Sequence, residues 1–171
     1  MSKFIETKEI ELQGLGFVFH SGGILKSREN GYDFLENEFW EPEDVCKYVN
    51  KGDMTAFCTG SPGSYNLNFY NGVQSDNEGE DNKKYAAEVH LAIKIDSGIL
   101  YIRDLYELSE WDRECKETEF LSLDNGIYLL SAYKNEITSD EFYENGQDID
   151  IFLHKVEEMP KLDFDNVPML F

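Results

Sequence analysis

The stretch YAAEVHLAIKIDSGILYIRDLY, Tyr85 to Tyr106, decides the fold class. Val89, Leu91, Ile93 and Ile95 alternate with Glu88, His90, Ala92 and Lys94, a period of two that puts one apolar face on a core and turns the other to solvent. Asp96-Ser97-Gly98 is a turn signal, and GILYIRDLY behind it reads as a second strand.

The same grammar extends in both directions. Downstream, ETEFLSL and GIYLLSAYK flank Asp124-Asn125-Gly126, and an Asn-Gly pair between such runs predicts a hairpin, because both central residues of a type I′ turn need positive φ. DIDIFLHKV reads as a last strand, and Pro160 opens a C-terminal tail over 160–171. Upstream, Phe4 to Leu12 and Leu15 to His20 read as two strands that could pair, with Gly14 and Gly16 marking a bulge or a close backbone approach. Met54 onward gives TAFCT, a Gly60-Ser61-Pro62-Gly63 turn and SYNLNFYNG, where Tyr65, Leu67 and Phe69 alternate with Asn66, Asn68 and Tyr70, predicting a hairpin.

Only one segment has the helical signature. Pro42 followed by Glu43 and Asp44 makes a first turn, Val45, Tyr48 and Val49 share a face, and Asn50 to Gly52 supplies the stop. The expected architecture is mainly β: an antiparallel β-sandwich with one short helix in the N-terminal half. A chain of 171 residues fits a single domain, 1–171. QSDNEGEDNKK, 74–84, reads as an acidic flexible connection between two strands.

Charge is the largest anomaly. Thirty-five Asp and Glu against fifteen Lys and Arg give a formal net charge of -20. Such a surface repels nucleic acid and anionic membranes and attracts cationic partners. The chain is nevertheless 41% hydrophobic and 14% aromatic, which separates it from disordered acidic sequences. The N-terminal residues carry no secretory pattern, and no run is long enough to span a membrane. Cys46, Cys58 and Cys115 have no C-x-x-C spacing, so neither a disulfide framework nor a zinc site is indicated. A reducing cytoplasm is the expected compartment.

Motifs for chemistry are missing. Aligning Gly79 with the sixth place of an EF-hand puts Gln74 first and Tyr85 twelfth, so the calcium frame fails. His20, His90 and His154 lack ligand spacing and read as solvent-face residues. No G-x-S-x-G, G-x-G-x-x-G or P-loop pattern occurs. Carboxylate pairs are too abundant to be diagnostic of a glycosidase. The reading is therefore not an enzyme, with no cofactor and no metal.

Two stretches combine large aromatics with acid, as a protein interface requires. The first is Gly31 to Tyr48. There Phe39 and Trp40 are candidate anchors among Asp33, Glu36, Glu38, Glu41, Glu43 and Asp44, unless both aromatics simply pack into the core. The second is Asn135 to Asp150, with Asp140, Glu141, Tyr143, Glu144 and Asp148, on a loop held by the sandwich.

The C-terminal half, with Leu123, Gly126, Tyr128 and Leu130 in a Leu-x-x-Gly-x-Tyr-x-Leu arrangement, resembles the competence-nuclease inhibitors and bacterial toxin immunity proteins. That resemblance implies an acidic bacterial antitoxin that neutralises a basic toxin, above all a nuclease, by protein-protein interaction. It does not extend to the N-terminal half, and no site residue is carried over. The alternatives are a DNA-mimic anti-restriction protein and a small-ligand-binding β-sandwich. Monomer and dimer both remain open, since a sheet edge is a ready pairing surface.

Overall fold

The computed structural model describes residues 2–23, 27–75, 85–112, 119–136 and 146–171. Within them lie nine strands: β1 (Lys3–Leu12), β2 (Gly16–His20), β3 (Met54–Cys58), β4 (Gly63–Asn71), β5 (Tyr85–Ile95), β6 (Ile99–Asp104), β7 (Glu119–Ser122), β8 (Gly126–Asn135) and β9 (Gln147–Val156). They make a five-stranded sheet, β1-β4-β9-β8-β5, and a four-stranded sheet, β3-β2-β6-β7. The mainly-β architecture stands, with one departure from antiparallel pairing, since β4 and β9 run parallel.

Strand positions follow the alternation in the sequence, but three expected pairings do not form. β1 pairs with β4, while β2 pairs with β3 and β6. β3 and β4 lie in different sheets, and so do β7 and β8 on either side of Asn125-Gly126. The links β1–β2, β3–β4, β5–β6 and β7–β8 all cross from one layer to the other. Stacked sheets lie about 10 Å apart and extended chain covers roughly 3.3 Å per residue, so a link of three or four residues is the length of one crossing. Gly126 has φ 152°, and the Asn125 side chain accepts from Gly98 N at 2.7 Å instead of closing a tight hairpin.

These arches brace one another in pairs. Leu123 N donates to Gly98 O at one end of the sandwich, and Thr59 N donates to Leu15 O at the other. Gly16 allows the second contact, because a Cβ there would stand 2.7 Å from Phe57 O. The close backbone approach expected of Gly14 and Gly16 is thus present, whereas the register shifts lie in β1 between Phe4 and Glu6 and in β5 between Tyr85 and Ala87.

Phe17 from β2 meets Tyr65 from β4 edge-on at 5.5 Å and Phe57 from β3 at 5.9 Å, clamping the two layers. Leu67, Phe69, Leu91, Ile93, Leu130, Ile149 and Ile151 complete the core. On the outer face of the larger sheet, Phe4, Tyr70, Phe152, Tyr133 and Tyr85 form a chain of ring contacts across its strands. Asp150 is buried in that face and accepts from Asn68 and the Tyr85 hydroxyl.

Between β2 and β3 the chain adds a helical layer. It holds two helices where one was expected: α1 (Phe34–Glu38) and α2 (Pro42–Lys51). GILYIRDLY does not stay extended to Tyr106, because β6 ends at Asp104 and Leu105–Glu110 is a 3-10 helix that contacts α1. Asp104 causes the change. Its carboxylate accepts from Tyr106 N, capping the 3-10 helix, and from Gln13 N and Gly14 N in the β1–β2 arch. The tail continues the packing: Phe164 and Asn50 exchange two hydrogen bonds, and Cys58 bonds Pro168 O and Leu170 N.

Beneath this layer His20 is buried, contrary to the solvent-face expectation. Its Nδ1 lies 2.9 Å from Ser21 O, and its Nε2 accepts from Arg103 Nε at 2.8 Å. The Arg103 guanidinium in turn lies 4.1 Å over the Trp111 ring. Burial first, and the Arg103 charge with it, lower the His20 pKa to about 4 against the partial opposition of the Ser21 carbonyl.

The unfolded chain therefore binds the extra proton first. Stability contributed by neutral His20 is complete above pH 6.5 and declines as the pH falls, by about 3 kcal/mol at pH 4. Urea unfolding at pH 7 and pH 5 is expected to show a steeper loss for the wild type than for His20→Gln, which does not titrate. Equal losses would refute the assignment.

Candidate functional site

The corner from Asp33 to Asp44 is built from local rules. Asp33 caps α1, its Oδ1 accepting from Glu36 N at 2.9 Å. Phe34 and Leu35 then face the core, and Phe39 N closes the turn on Leu35 O. Pro42 starts α2, Glu43 and Asp44 sit at its positive end, and Gly52 in the left-handed region ends it. Val45, Cys46 and Val49 are the buried face.

The two aromatic candidates part ways at this corner. Phe39 is a core residue at 3% exposure, whereas Trp40 is 64% exposed. Trp40 walls an apolar groove of about 200 Å³ whose other sides come from Leu35, Phe39 and Val45 of the helical layer, Phe57 and Cys58 of β3, and Val167 of the tail.

Acidic groups divide in the same way. Glu38 turns inward: Arg28 Nε and Nη2 donate to its two oxygens at 2.7 and 2.6 Å, and Tyr32 and Tyr48 donate at 2.9 and 3.0 Å. The Arg28 hydrogen bonds are the main cause that lowers its pKa. Asp44 pairs with Lys47 at 2.9 Å. Glu36, Glu41 and Glu43 are exposed. Glu43 and Asp165 of the tail both bear on Cys46, whose thiol burial pushes upward in pKa.

Of the second stretch, only the ends are among the described residues. Asp148 lies on β9, exposed and bonded to Asn66 at 2.9 Å, while α2 packs on β3 and β5. Asp140, Glu141, Tyr143 and Glu144 lie outside the described residues, as do 76–84 of the acidic connection and Cys115. Among the described residues, no group of His, Cys, Asp and Glu is placed to hold a metal ion. None of the helices described is long and apolar enough to cross a membrane.

No family model matches the chain, and no curated protein matches it. Solved structures do. ComJ, the inhibitor of the DNA-degrading activity of NucA from Bacillus subtilis, superposes with a TM-score of 0.54 at 12% identity, covering 91% of this chain and 99% of ComJ. The fold resembles that of a competence-nuclease inhibitor. The crocagin biosynthetic gene J protein gives a TM-score of 0.57 at 11% identity over 91% of this chain and 98% of its own. At such identities the likeness to ComJ is one of fold, and it includes most of the N-terminal half that sequence pattern left unplaced.

Sequence pattern located Trp40 but missed its surroundings. Leu15 and Tyr106 read as strand residues, yet both are exposed, at 46% and 53%, on either side of the Asp104 carboxylate. The Gly14-x-Gly16 spacing and the Asp104 cap were the available signals.

Glu38→Ala is expected to lower stability by about 1 kcal/mol, the scale of a partly exposed ion pair, with Arg28 and two tyrosines losing their acceptor. Urea denaturation measures it. An unchanged midpoint would show that the four bonds do not hold the corner together.

Proposed function

We propose that the protein binds and neutralises a basic nuclease, as an immunity or inhibitor protein does, through an acidic surface anchored by aromatic residues. The observation that carries this reading is the end-to-end likeness to ComJ, an inhibitor of a DNA-degrading activity. The charge agrees with it. A nuclease holds DNA with cationic groups, and a net charge of -20 attracts such a surface and speeds its capture.

Roles divide by position. The exposed carboxylates Glu36, Glu41 and Glu43 pair with Lys or Arg of the partner, and Trp40 supplies buried contact area. Asp33, Glu38 and Phe39 hold the corner in shape from behind. Asp140, Glu141, Tyr143, Glu144 and Asp148 add a second acidic contribution. Residues 76–84 act at long range, and the cytoplasm is the compartment in which a producing cell needs such protection.

Coexpression with the product of an adjacent nuclease gene, followed by copurification and a DNA-degradation assay, tests the reading. Stoichiometric loss of nuclease activity is expected; full activity in the presence of excess protein would sink it. Neutralising Asp76, Glu78, Glu80 and Asp81 is expected to slow association several-fold at low salt, while dissociation stays unchanged. Stopped-flow mixing with the nuclease at two salt concentrations separates the rates, and a faster dissociation would place those residues in the contact itself.

A further inference from the structure

Among the described residues nine large apolar side chains are exposed, and five of them lie on segments that contribute to or adjoin the Trp40 groove. Trp40, Leu15, Tyr106, Met169 and Phe171 are each between 46% and 65% exposed. Trp40 is part of the groove wall, and three of the others adjoin residues that line it. Leu15 precedes Gly16, Tyr106 follows Leu105, and Met169 bridges Cys58. Phe171 lies beyond Met169, its ring over Gly60. Four separate segments thus bring apolar surface to one end of the sandwich.

Their placement is enforced. Asp104 binds the backbone on both sides of the Leu15–Tyr106 pair, Thr59 holds Leu15 O, and Cys58 holds Pro168 and Leu170 on either side of Met169. Leu170 is buried, so alternation along the tail turns Met169 and Phe171 outward. Exposed apolar side chains gathered on neighbouring segments in this way mark an interaction surface.

We infer that this apolar end is the affinity-determining contact for a basic protein segment, which inserts one large apolar side chain into the Trp40 groove and sets flanking Lys or Arg against Glu41, Glu43 and Asp165. The inference rests on the proposed nuclease partner and names the surface that partner meets. Size and charge select the occupant. A groove of about 200 Å³ is smaller than the usual small-molecule site of about 300–1,000 Å³ and suits a single side chain. Among the described residues no Lys or Arg lines it, while exposed Glu41 follows Trp40, exposed Glu43 stands two residues before Val45, and exposed Asp165 two before Val167. A second copy is disfavoured, because a two-fold contact would bring two identical acidic rims together.

The test uses Trp40→Ala and Phe171→Ala, with Phe120→Ala and Val73→Ala as controls that remove exposed apolar groups elsewhere. Thermal melting should be unchanged in all four. Surface plasmon resonance with the nuclease is expected to show at least tenfold faster dissociation for the first pair and none for the controls. Glu41→Lys with Glu43→Lys should slow association in a salt-dependent way. Inhibition that survives intact in Trp40→Ala overturns the inference and leaves the proposed function standing.

If the wild type inhibits no nuclease, the proposed function fails and a peptide titration decides the inference alone. The hexapeptide Lys-Lys-Leu-Phe-Lys-Lys should shift the emission of exposed Trp40, and Lys-Lys-Ser-Ser-Lys-Lys should not. Equal response to both peptides, or to neither, overturns it. So does a dimer in sedimentation that Trp40→Ala converts to monomer, since the occupant is then a second copy.

Discussion

The spacing between the two sheets is the constraint on which the rest depends. Each short link has to cover about 10 Å, and three or four extended residues do so. Once a short link crosses, its flanking strands cannot pair with each other, and ladders form between strands joined by longer connections or distant along the chain. β1 therefore pairs with β4, β2 with β6, and β4 with β9 in parallel. The long connections join strands within one sheet, and they carry the helical layer and the acidic segments.

That division explains why the candidate site lies where it does. The helical layer is the insertion between the neighbouring strands β2 and β3, and it covers the region where β3 and β5, edge strands of the two sheets, meet. It does so with Phe34, Leu35, Phe39, Val45 and Val49, while Trp111 locks its lead-in through backbone bonds to Gly31 and Tyr32. At its end the cover is incomplete. Trp40 lies between two helices whose buried faces are already filled, so its indole becomes a wall and not a plug. The tail closes the edge at β3 with Leu170 and leaves Met169 and Phe171 outside.

Local rules made much of this legible. Period-two alternation placed β4, β5 and β9, because one face of each meets the core, and Pro42 with Gly52 bounded α2. Pairing was not legible. Asn125-Gly126 has the chemistry of a hairpin, but the choice between closing and crossing is made by Gly98 of the β5–β6 arch, whose amide and carbonyl bond Asn125 and Leu123. α1 escaped notice because its five residues carry too little period, and its cap is one aspartate among many. For the site, aromatic residues amid acid drew attention to Trp40 and Phe39 alike. Only tertiary cover separates the two, as it separates outward Leu15 from buried Phe17.

Nor is the net charge a single quantity with a single use. Asp33, Glu38, Asp104 and Asp150 spend their lone pairs on the chain itself, capping a helix, gathering Arg28 with two tyrosines, binding an arch and satisfying a half-buried tyrosine. Their contribution to a partner is shape. Exposed carboxylates such as Glu41 and Glu43 act through solvent, where screening confines them to about a Debye length of 8 Å. Charge at that range governs how fast a cationic partner arrives, whereas holding it requires area removed from water. On the proposed reading that area lies beside Trp40, so the acid that dominates the composition and the apolar end that occupies little of the sequence act on different steps of one binding event.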